Sequence, residues 1–168
     1  NSVTGIGGGM RVFNGSNPEL IGVSISNNTS TSNGGGIAYE GLPASTINQR
    51  LHRVTISNNT STEGVGGGIY LYSSIASVTR SLVQDNAASL KGGGMSIEWA
   101  SELMLENSFV SGNTLTNGVQ GSNVYIGKSD QLIGSNEKLI TMNSNLIDTV
   151  ALSDENLFSM YTNGLVKP

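Results

Sequence analysis

Two glutamates, Glu40 and Glu98, are the residues of this chain best suited to acid–base chemistry. Each is the fourth residue of a short segment that follows three consecutive glycines. A pair of carboxylates can cleave a glycosidic bond, with one as general acid and the other as base or nucleophile. Glu40 and Glu98 are therefore the candidate catalytic residues of a polysaccharide-active enzyme, either a glycosidase or a lyase.

Aromatic residues in equivalent segments favour binding over catalysis. Phe13, Tyr70, Tyr72 and Tyr125 occupy the second or fourth positions of these segments. Because successive side chains of a strand point to opposite faces, we expect second and fourth positions to face solvent when the first and third face a core. Exposed rings stack on sugars and pack against partner proteins. The predicted ligand is a glycan or a host or cell-surface protein.

The longest spacer between the glycine runs, residues 41–53, adds Arg50, His52 and Arg53 as candidate ligand-binding residues. His52 is the only histidine and cysteine is absent, so the ligands of a zinc site are missing. We interpret His52 as an exposed loop residue that contacts an acidic sugar or a partner protein. No metal ion or other cofactor is expected.

Threonine pairs of the form Thr-x-Thr provide a third kind of surface. Regularly spaced hydroxyl and methyl groups on a flat sheet can order water, so an ice-binding face is a second alternative function. The series is interrupted by Ala87 and Ser89. Its members are Thr29, Thr31, Thr60, Thr62, Thr114 and Thr116.

All these residues belong to a repeat with two landmarks. The first landmark is Gly-Gly-Gly at 7–9, 34–36, 66–68 and 92–94, with Gly121-Ser122-Asn123 as a degenerate fifth copy. An apolar-x-apolar triplet follows each copy, which is typical of one face of a short strand. The second landmark is an asparagine three residues after an isoleucine or valine, at Asn28, Asn59, Asn86 and Asn113.

Short strands that recur every 26 to 32 residues, without helical periodicity between them, predict a solenoid. We expect an all-β, right-handed parallel β-helix of about six coils that forms a single domain over residues 1–168. The glycines would form corners and the asparagines a hydrogen-bonded ladder. Regular coils are predicted over about 5–127. An irregular last coil and cap, with a helical turn in 148–160, are predicted over about 128–168.

The repeats resemble those of polymorphic outer-membrane proteins and related autotransporter-type adhesin passengers of bacteria. The match is clearest at Ser57-Asn58-Asn59-Thr60 followed by Gly66-Gly67-Gly68-Ile69. The resemblance implies surface display and adhesion as part of a larger chain, in which this segment acts as an adhesive passenger or a structural stalk. The first residue is not methionine, which we interpret as a mature or excised segment.

Composition narrows the choice of partners and compartment. The net charge is −4 and the eight Lys and Arg residues are dispersed, so nucleic acid is not an expected partner. No apolar run approaches the roughly 18 residues that span a bilayer. An extracellular or bacterial cell-surface location is predicted. Open solenoid ends also make self-association an expectation.

Overall fold

The computed structural model of the protein describes residues 1–41, 48–99 and 101–127, and further strands at 140–143, 146–147, 150–152, 160–162 and 165–166. Within this part of the chain every regular element is a strand. The first twelve are β1 (Ser2–Val3), β2 (Met10–Phe13), β3 (Glu19–Ile21), β4 (Ser24–Ser26), β5 (Thr29–Ser30), β6 (Ile37–Glu40), β7 (Asn48–His52), β8 (Thr55–Ser57), β9 (Thr60–Ser61), β10 (Ile69–Tyr72), β11 (Ile75–Thr79) and β12 (Leu82–Gln84). The remainder are β13 (Ala87–Ala88), β14 (Met95–Glu98), β15 (Glu102–Glu106), β16 (Phe109–Ser111), β17 (Thr114–Leu115), β18 (Val124–Ile126), β19 (Ile140–Asn143), β20 (Leu146–Ile147), β21 (Val150–Leu152), β22 (Met160–Thr162) and β23 (Leu165–Val166).

The strands form four parallel sheets that run along the stack of coils. Sheet 1 has the order β2-β6-β10-β14-β18-β21, and sheet 2 has the order β3-β7-β11-β15-β19-β22. Sheet 3 has the order β4-β8-β12-β16-β20-β23, and sheet 4 has the order β1-β5-β9-β13-β17. Every coil therefore contributes one strand to each sheet in turn, and equivalent residues of successive coils stack in columns.

The structure confirms the predicted parallel β-solenoid. Strands β2 to β17 make four coils, and the strands from β18 onward pair at two further levels of sheets 1 to 3. The predicted helical turn in 148–160 overlaps strands β21 and β22, and the rest of that prediction lies largely outside the described residues. No helix in the described residues is long and apolar enough to cross a membrane.

Apolar columns from sheets 1, 2 and 3 fill one continuous core. In sheet 1 the first and third residues of each strand point inward, as the triplets predict. Ile37, Ile69 and Met95 stack in register, and all three are fully buried. No single coil has enough apolar surface to form such a core, so stacking supplies the hydrophobic stabilisation of the fold.

Each coil turns four corners, and each corner has at least one residue with a positive φ angle, with two, Asn14 and Gly15, after β2. At the corner before sheet 1 the residue with the positive φ angle is a glycine, as the glycine runs predict. The other three corners are made largely by residues with side chains, which the sequence analysis did not anticipate. These columns are Asn14, Gly41, Ser73 and Trp99 after sheet 1; Gly22, Arg53, Arg80 and Asn107 after sheet 2; and Asn27, Asn58, Asp85 and Gly112 after sheet 3.

The glycine triplets are required for three separate reasons, shown by the copy at 34–36. Gly34 has a φ angle of 67°, a conformation that residues with a Cβ atom adopt at a cost. A Cβ atom on Gly35 would lie 2.5 Å from the carbonyl carbon of Thr60, and one on Gly36 would lie 3.0 Å from the amide nitrogen of Asn59. The triplet therefore turns the chain and lets its backbone approach sheet 4 and the asparagines.

The asparagines form the predicted ladder, and its rungs are linked in one direction. The Asn28 amide donates to Oδ1 of Asn59 at 2.9 Å, and the Asn59 and Asn86 amides repeat this contact with the next rung at the same distance. Asn113 donates to Asn123 at 2.8 Å. Asn123 occupies the third position of the degenerate glycine triplet, so a residue from another column provides the fifth rung.

Candidate ligand-binding surface

The fourth residues of the sheet 1 strands form an outward-facing column of alternating aromatic rings and carboxylates. Phe13, Glu40, Tyr72 and Glu98 follow one another in register on β2, β6, β10 and β14. Trp99 is the corner residue immediately after Glu98. We call these five residues the aromatic strip.

Tyr72 and Trp99 are the centre of the aromatic strip. Their ring centroids lie 5.6 Å apart with an angle of 34° between the planes. Both residues are only partly buried, so their rings contact each other and remain accessible. Trp99 has a φ angle of 47°, which is unfavourable for a bulky side chain, and Gly41 occupies the equivalent corner two coils earlier.

Trp99 is not recognisable from the repeat because it lies one position beyond the repeated segment. The only available signal was that the single tryptophan of the chain directly follows a candidate site residue. Large aromatic residues are rare in this chain, so their contact with one another distinguishes this surface.

The expectation that second positions of the sheet 1 strands face solvent holds for Arg11 on β2 and is wrong on β6, β10, β14 and β18. Tyr70 and Tyr125 are only 5% and 4% exposed, and Ala38 and Ser96 are fully buried. The turn that precedes each strand folds over this column. Val65 packs with Ala38 and Tyr70, and backbone bridges stack Val65, Lys91 and Gln120 above the sheet.

Tyr125 is held beneath this cover by Lys91. The lysine ammonium lies 4.5 Å from the centroid of the Tyr125 ring and donates to its hydroxyl group at 3.0 Å. Tyr70 lies closer to the aromatic strip, with its ring centroid 6.2 Å from that of Tyr72. Tyr70 and Tyr125 are therefore covered, and their role in ligand binding stays a prediction.

Burial raises the pKa of Tyr70, and the charges of Glu98 and Glu40 raise it further. The Tyr70 phenol therefore stays protonated at neutral pH. Tyr70 also has a side-chain hydrogen bond with Asn33. Tyr70 thus places a neutral, hydrogen-bonded ring next to Tyr72 of the aromatic strip.

Glu40 and Glu98 lie on the same face, but Tyr72 separates them. Each is paired with Tyr72 in the parallel register, so two strand spacings, roughly 10 Å, divide their backbones. Inverting glycosidases place their carboxylates about 6.5–9.5 Å apart. Glu40 also accepts a 2.7 Å bond from Arg11, and Glu98 accepts one from Ser96 at 3.1 Å. This arrangement suits the orientation of a ligand on the intervening ring better than concerted acid–base attack.

Phe13 extends the aromatic strip at the first coil and is 49% exposed. The guanidinium of Arg11 lies 5.3 Å from the centroid of its ring while it bonds Glu40. Arg11 thus contacts both Phe13 and Glu40, and the rest of the Phe13 ring is exposed to solvent.

The predicted loop position of His52 is wrong. His52 and Arg50 both lie on β7 in sheet 2, whose segment Asn-Gln-Arg-Leu-His has only one apolar residue as a strand signal. The His52 ring nitrogen Nδ1 lies 2.8 Å from Oγ1 of Thr79. Arg50 pairs with Glu19 on the neighbouring strand at 2.6 Å. Both side chains are therefore engaged within the outer surface of sheet 2.

Arg53 occupies the corner between sheets 2 and 3, away from the aromatic strip. Arg80 lies directly beside it in the next coil. The two residues belong to the rim of a shallow cleft of about 290 Å³ that also contacts Leu82 and Phe109. The structure thus separates Arg53 from the other predicted ligand-binding residues and gives it a cationic neighbour that the sequence analysis did not select.

The threonine columns stack as the sequence predicts. Thr29, Thr60 and Thr114 are in register on sheet 4, with Ala87 in the third row. Two hydroxyl groups of the second column are used within the protein. Thr31 accepts from the Gly5 N–H at 2.9 Å, and Thr62 donates to the Ser30 carbonyl at 3.3 Å.

Among the described residues, no cluster of three or more His, Asp or Glu side chains is placed to hold a metal ion. The chain matches no family model, no curated protein and no solved structure. The part of the resemblance that the structure carries is therefore the parallel solenoid itself.

Proposed function

We propose that this chain is a segment of an extracellular or cell-surface β-solenoid that binds a glycan along the aromatic strip. In this proposal it is the adhesive portion, or the stalk, of a larger autotransporter-like chain. The observation that carries the proposal is the contact between Tyr72 and Trp99 on a rigid sheet, flanked in register by Glu40 and Glu98.

The chemistry of the strip favours a neutral or amine-bearing sugar. Accessible aromatic faces pack against the apolar C–H face of a pyranose, and carboxylates accept hydrogen bonds from its hydroxyl groups. A polyanionic glycan would be repelled by Glu98 and Glu40. Because the strip crosses four coils at intervals of roughly 4.8 Å, it presents a line of contacts to an extended chain of sugars.

The rigidity of the strip supports binding without a large entropy cost. Tyr72 stands on an interior strand of sheet 1, and its backbone is paired on both sides. Arg11 holds Glu40, and Ser96 holds Glu98. Side chains that are already fixed lose little freedom when a ligand binds.

The test is a screen of the purified domain against neutral, amino and acidic glycans, with a reducing-sugar assay on the same polysaccharides. Tyr72→Ala and Trp99→Gly should each weaken binding of an identified neutral or amino glycan by about tenfold, as the loss of one stacking contact of about 1.4 kcal/mol implies. Glycine suits the positive φ angle at position 99, so this variant keeps its corner.

Phe109→Ala is the matched control, because Phe109 is an aromatic residue of sheet 3 that is 52% exposed and lies outside the aromatic strip. Its removal should leave binding of the neutral or amino glycan unchanged. The proposal fails if Tyr72→Ala binds the glycan as the unaltered protein does, or if no neutral or amino glycan binds. Cleavage that is lost in Glu40→Gln or Glu98→Gln would replace it with the enzyme alternative.

The ice-binding alternative has one specific observation in its favour, the register of Thr29, Thr60 and Thr114 on sheet 4. The row interrupted by Ala87 weakens the lattice that such a face needs. Thermal hysteresis that disappears in Thr62→Tyr would support this alternative. A solution that freezes as a buffer control does would refute it.

A further inference from the structure

The corner between sheets 2 and 3 contains an unusual pair of arginines. Arg53 and Arg80 stack in adjacent coils with φ angles of 54° and 50°. The same column has Gly22 in the coil before them and Asn107 in the coil after them. Glycine and asparagine are the residues that this conformation favours, whereas arginine adopts it only with backbone strain.

Arg53 and Arg80 are the two residues of this column that have cationic side chains, and the backbone strain falls on them. Both arginines are exposed, and neither forms an ion pair with a described residue. Their backbones are fixed because the Arg53 N–H donates to the Thr79 carbonyl and the Arg80 N–H donates to the Glu106 carbonyl, both at 3.0 Å. Backbone strain that a rigid scaffold maintains is a recognised mark of a functional position.

The arginines border the shallow cleft of about 290 Å³ described above. Leu82 and the half-exposed ring of Phe109 line the same cleft, so it combines two guanidinium groups with an apolar wall. Adjacent coils place the two corners roughly 4.8 Å apart at the backbone. Guanidinium groups bind carboxylate and sulfate oxygens through paired N–H donors.

We propose that the Arg53–Arg80 cleft binds an acidic polysaccharide, with each arginine on a carboxylate or sulfate group and Phe109 against a sugar ring. Arg53 and Arg80 provide two positive charges on a domain whose net charge is −4. Two isolated cations suit a polysaccharide whose anionic groups occur at intervals along the chain. A nucleic acid needs a longer basic stripe to neutralise its continuous row of phosphates. The cleft lies on a different corner from the aromatic strip and does not depend on its function.

The experiment measures binding of dextran sulfate to the whole chain by isothermal titration calorimetry, with unsulfated dextran as the ligand control. We expect Arg53→Asn and Arg80→Asn each to weaken binding about tenfold, because one charge-assisted contact contributes roughly that factor. Asparagine favours the positive φ angle, so both variants should unfold at the same or higher urea concentration than the unaltered chain.

Arg11→Gln is the matched control, since it removes an arginine from sheet 1 and should leave the dextran sulfate affinity unchanged. Absence of dextran sulfate binding would overturn the proposal, as would equal weakening by Arg11→Gln, which would indicate attraction to charge alone. Tighter binding of a single-stranded oligonucleotide of matched charge would overturn the choice of polysaccharide. The tyrosine and tryptophan variants of the aromatic strip should bind dextran sulfate normally, which separates the two sites.

Discussion

Replacement of Asn86 by alanine tests the ladder at a central rung. The Asn86 amide donates to the carbonyls of Ile56 and Gln84 and to Asn113, and its Oδ1 accepts from both the backbone and the side chain of Asn59. The variant leaves the buried Asn59 backbone N–H without an acceptor, which costs about 2 kcal/mol. Loss of the three donations adds about 2 kcal/mol, so the free energy of unfolding should fall by about 4 kcal/mol.

Asn28→Ala is the comparison, because it removes the first described rung. The Asn28 amide makes one ladder bond, and its acceptor, Asn59 Oδ1, still accepts from the Asn28 backbone N–H at 3.0 Å. No buried donor loses its only partner, so the expected cost is about 1 kcal/mol. Urea unfolding followed by circular dichroism measures both values. Equal losses at the two positions would refute the reasoning, since they would show that the bonds of the central rung contribute nothing beyond shape.

Asn86→Asp separates the acceptor from the donors. The carboxylate still accepts from Asn59, but it faces the Ile56 and Gln84 carbonyl oxygens, which raises its pKa above the usual value of about 3.9. A folded-state pKa above the unfolded value gives stability that is present at low pH and lost as pH rises. The free energy of unfolding of the variant should therefore be closer to that of the unaltered protein at pH 4 than at pH 7. A difference between the two free energies that narrows from pH 4 to pH 7 would contradict this account.

Three further perturbations follow from particular contacts. Tyr39→Phe should leave the free energy of unfolding within about 1 kcal/mol or raise it, because the buried Tyr39 hydroxyl has no hydrogen-bond partner among the described residues, and urea unfolding measures the change. Burial raises the pKa of Tyr39 above its ordinary value of 10.0, so stability should fall above about pH 10 by about 1.4 kcal/mol per pH unit, and Tyr39→Phe should lessen that slope. Ser73→Gly should stabilise the chain by about 1 kcal/mol in the same assay, since Ser73 has a φ angle of 47°. Gly67→Ala should destabilise it by about 3 kcal/mol or more, seen as a lower melting temperature, because the new Cβ would lie 2.5 Å from the Ala87 carbonyl carbon.

The repeat allowed the fold and the ladder to be predicted because both depend on residue types that recur at equivalent positions. Glycine was informative at one corner, where neighbouring backbones exclude a Cβ atom. The other corners tolerate side chains in a strained conformation, so residues such as Arg80 and Trp99 gave no conformational signal. Similarly, β7 has too few apolar residues to be recognised as a strand.

The candidate site was predicted only in part, because strand alternation tells which side a residue faces and not what covers that side. Phe13 and Tyr72 lie on the accessible column, as expected. Tyr70 and Tyr125 face outward from the core, but the preceding turns bury them. Such long-range covering depends on the path of the turns, which the sequence pattern does not encode.

Because the asparagine rungs are all linked in the same direction, one coil can be deleted or duplicated as a unit. Asn59 and Asn86 are 27 residues apart, and each side-chain amide donates to the next rung and to a carbonyl of the preceding coil. An in-frame deletion or duplication between two such asparagines would leave the stacked columns of residues continuous. The hydrogen bonds of the ladder would still run in one direction, and the outline of the coil would not change. Rods of different length can therefore arise by recombination within one gene, and each would keep the same side walls along its whole extent.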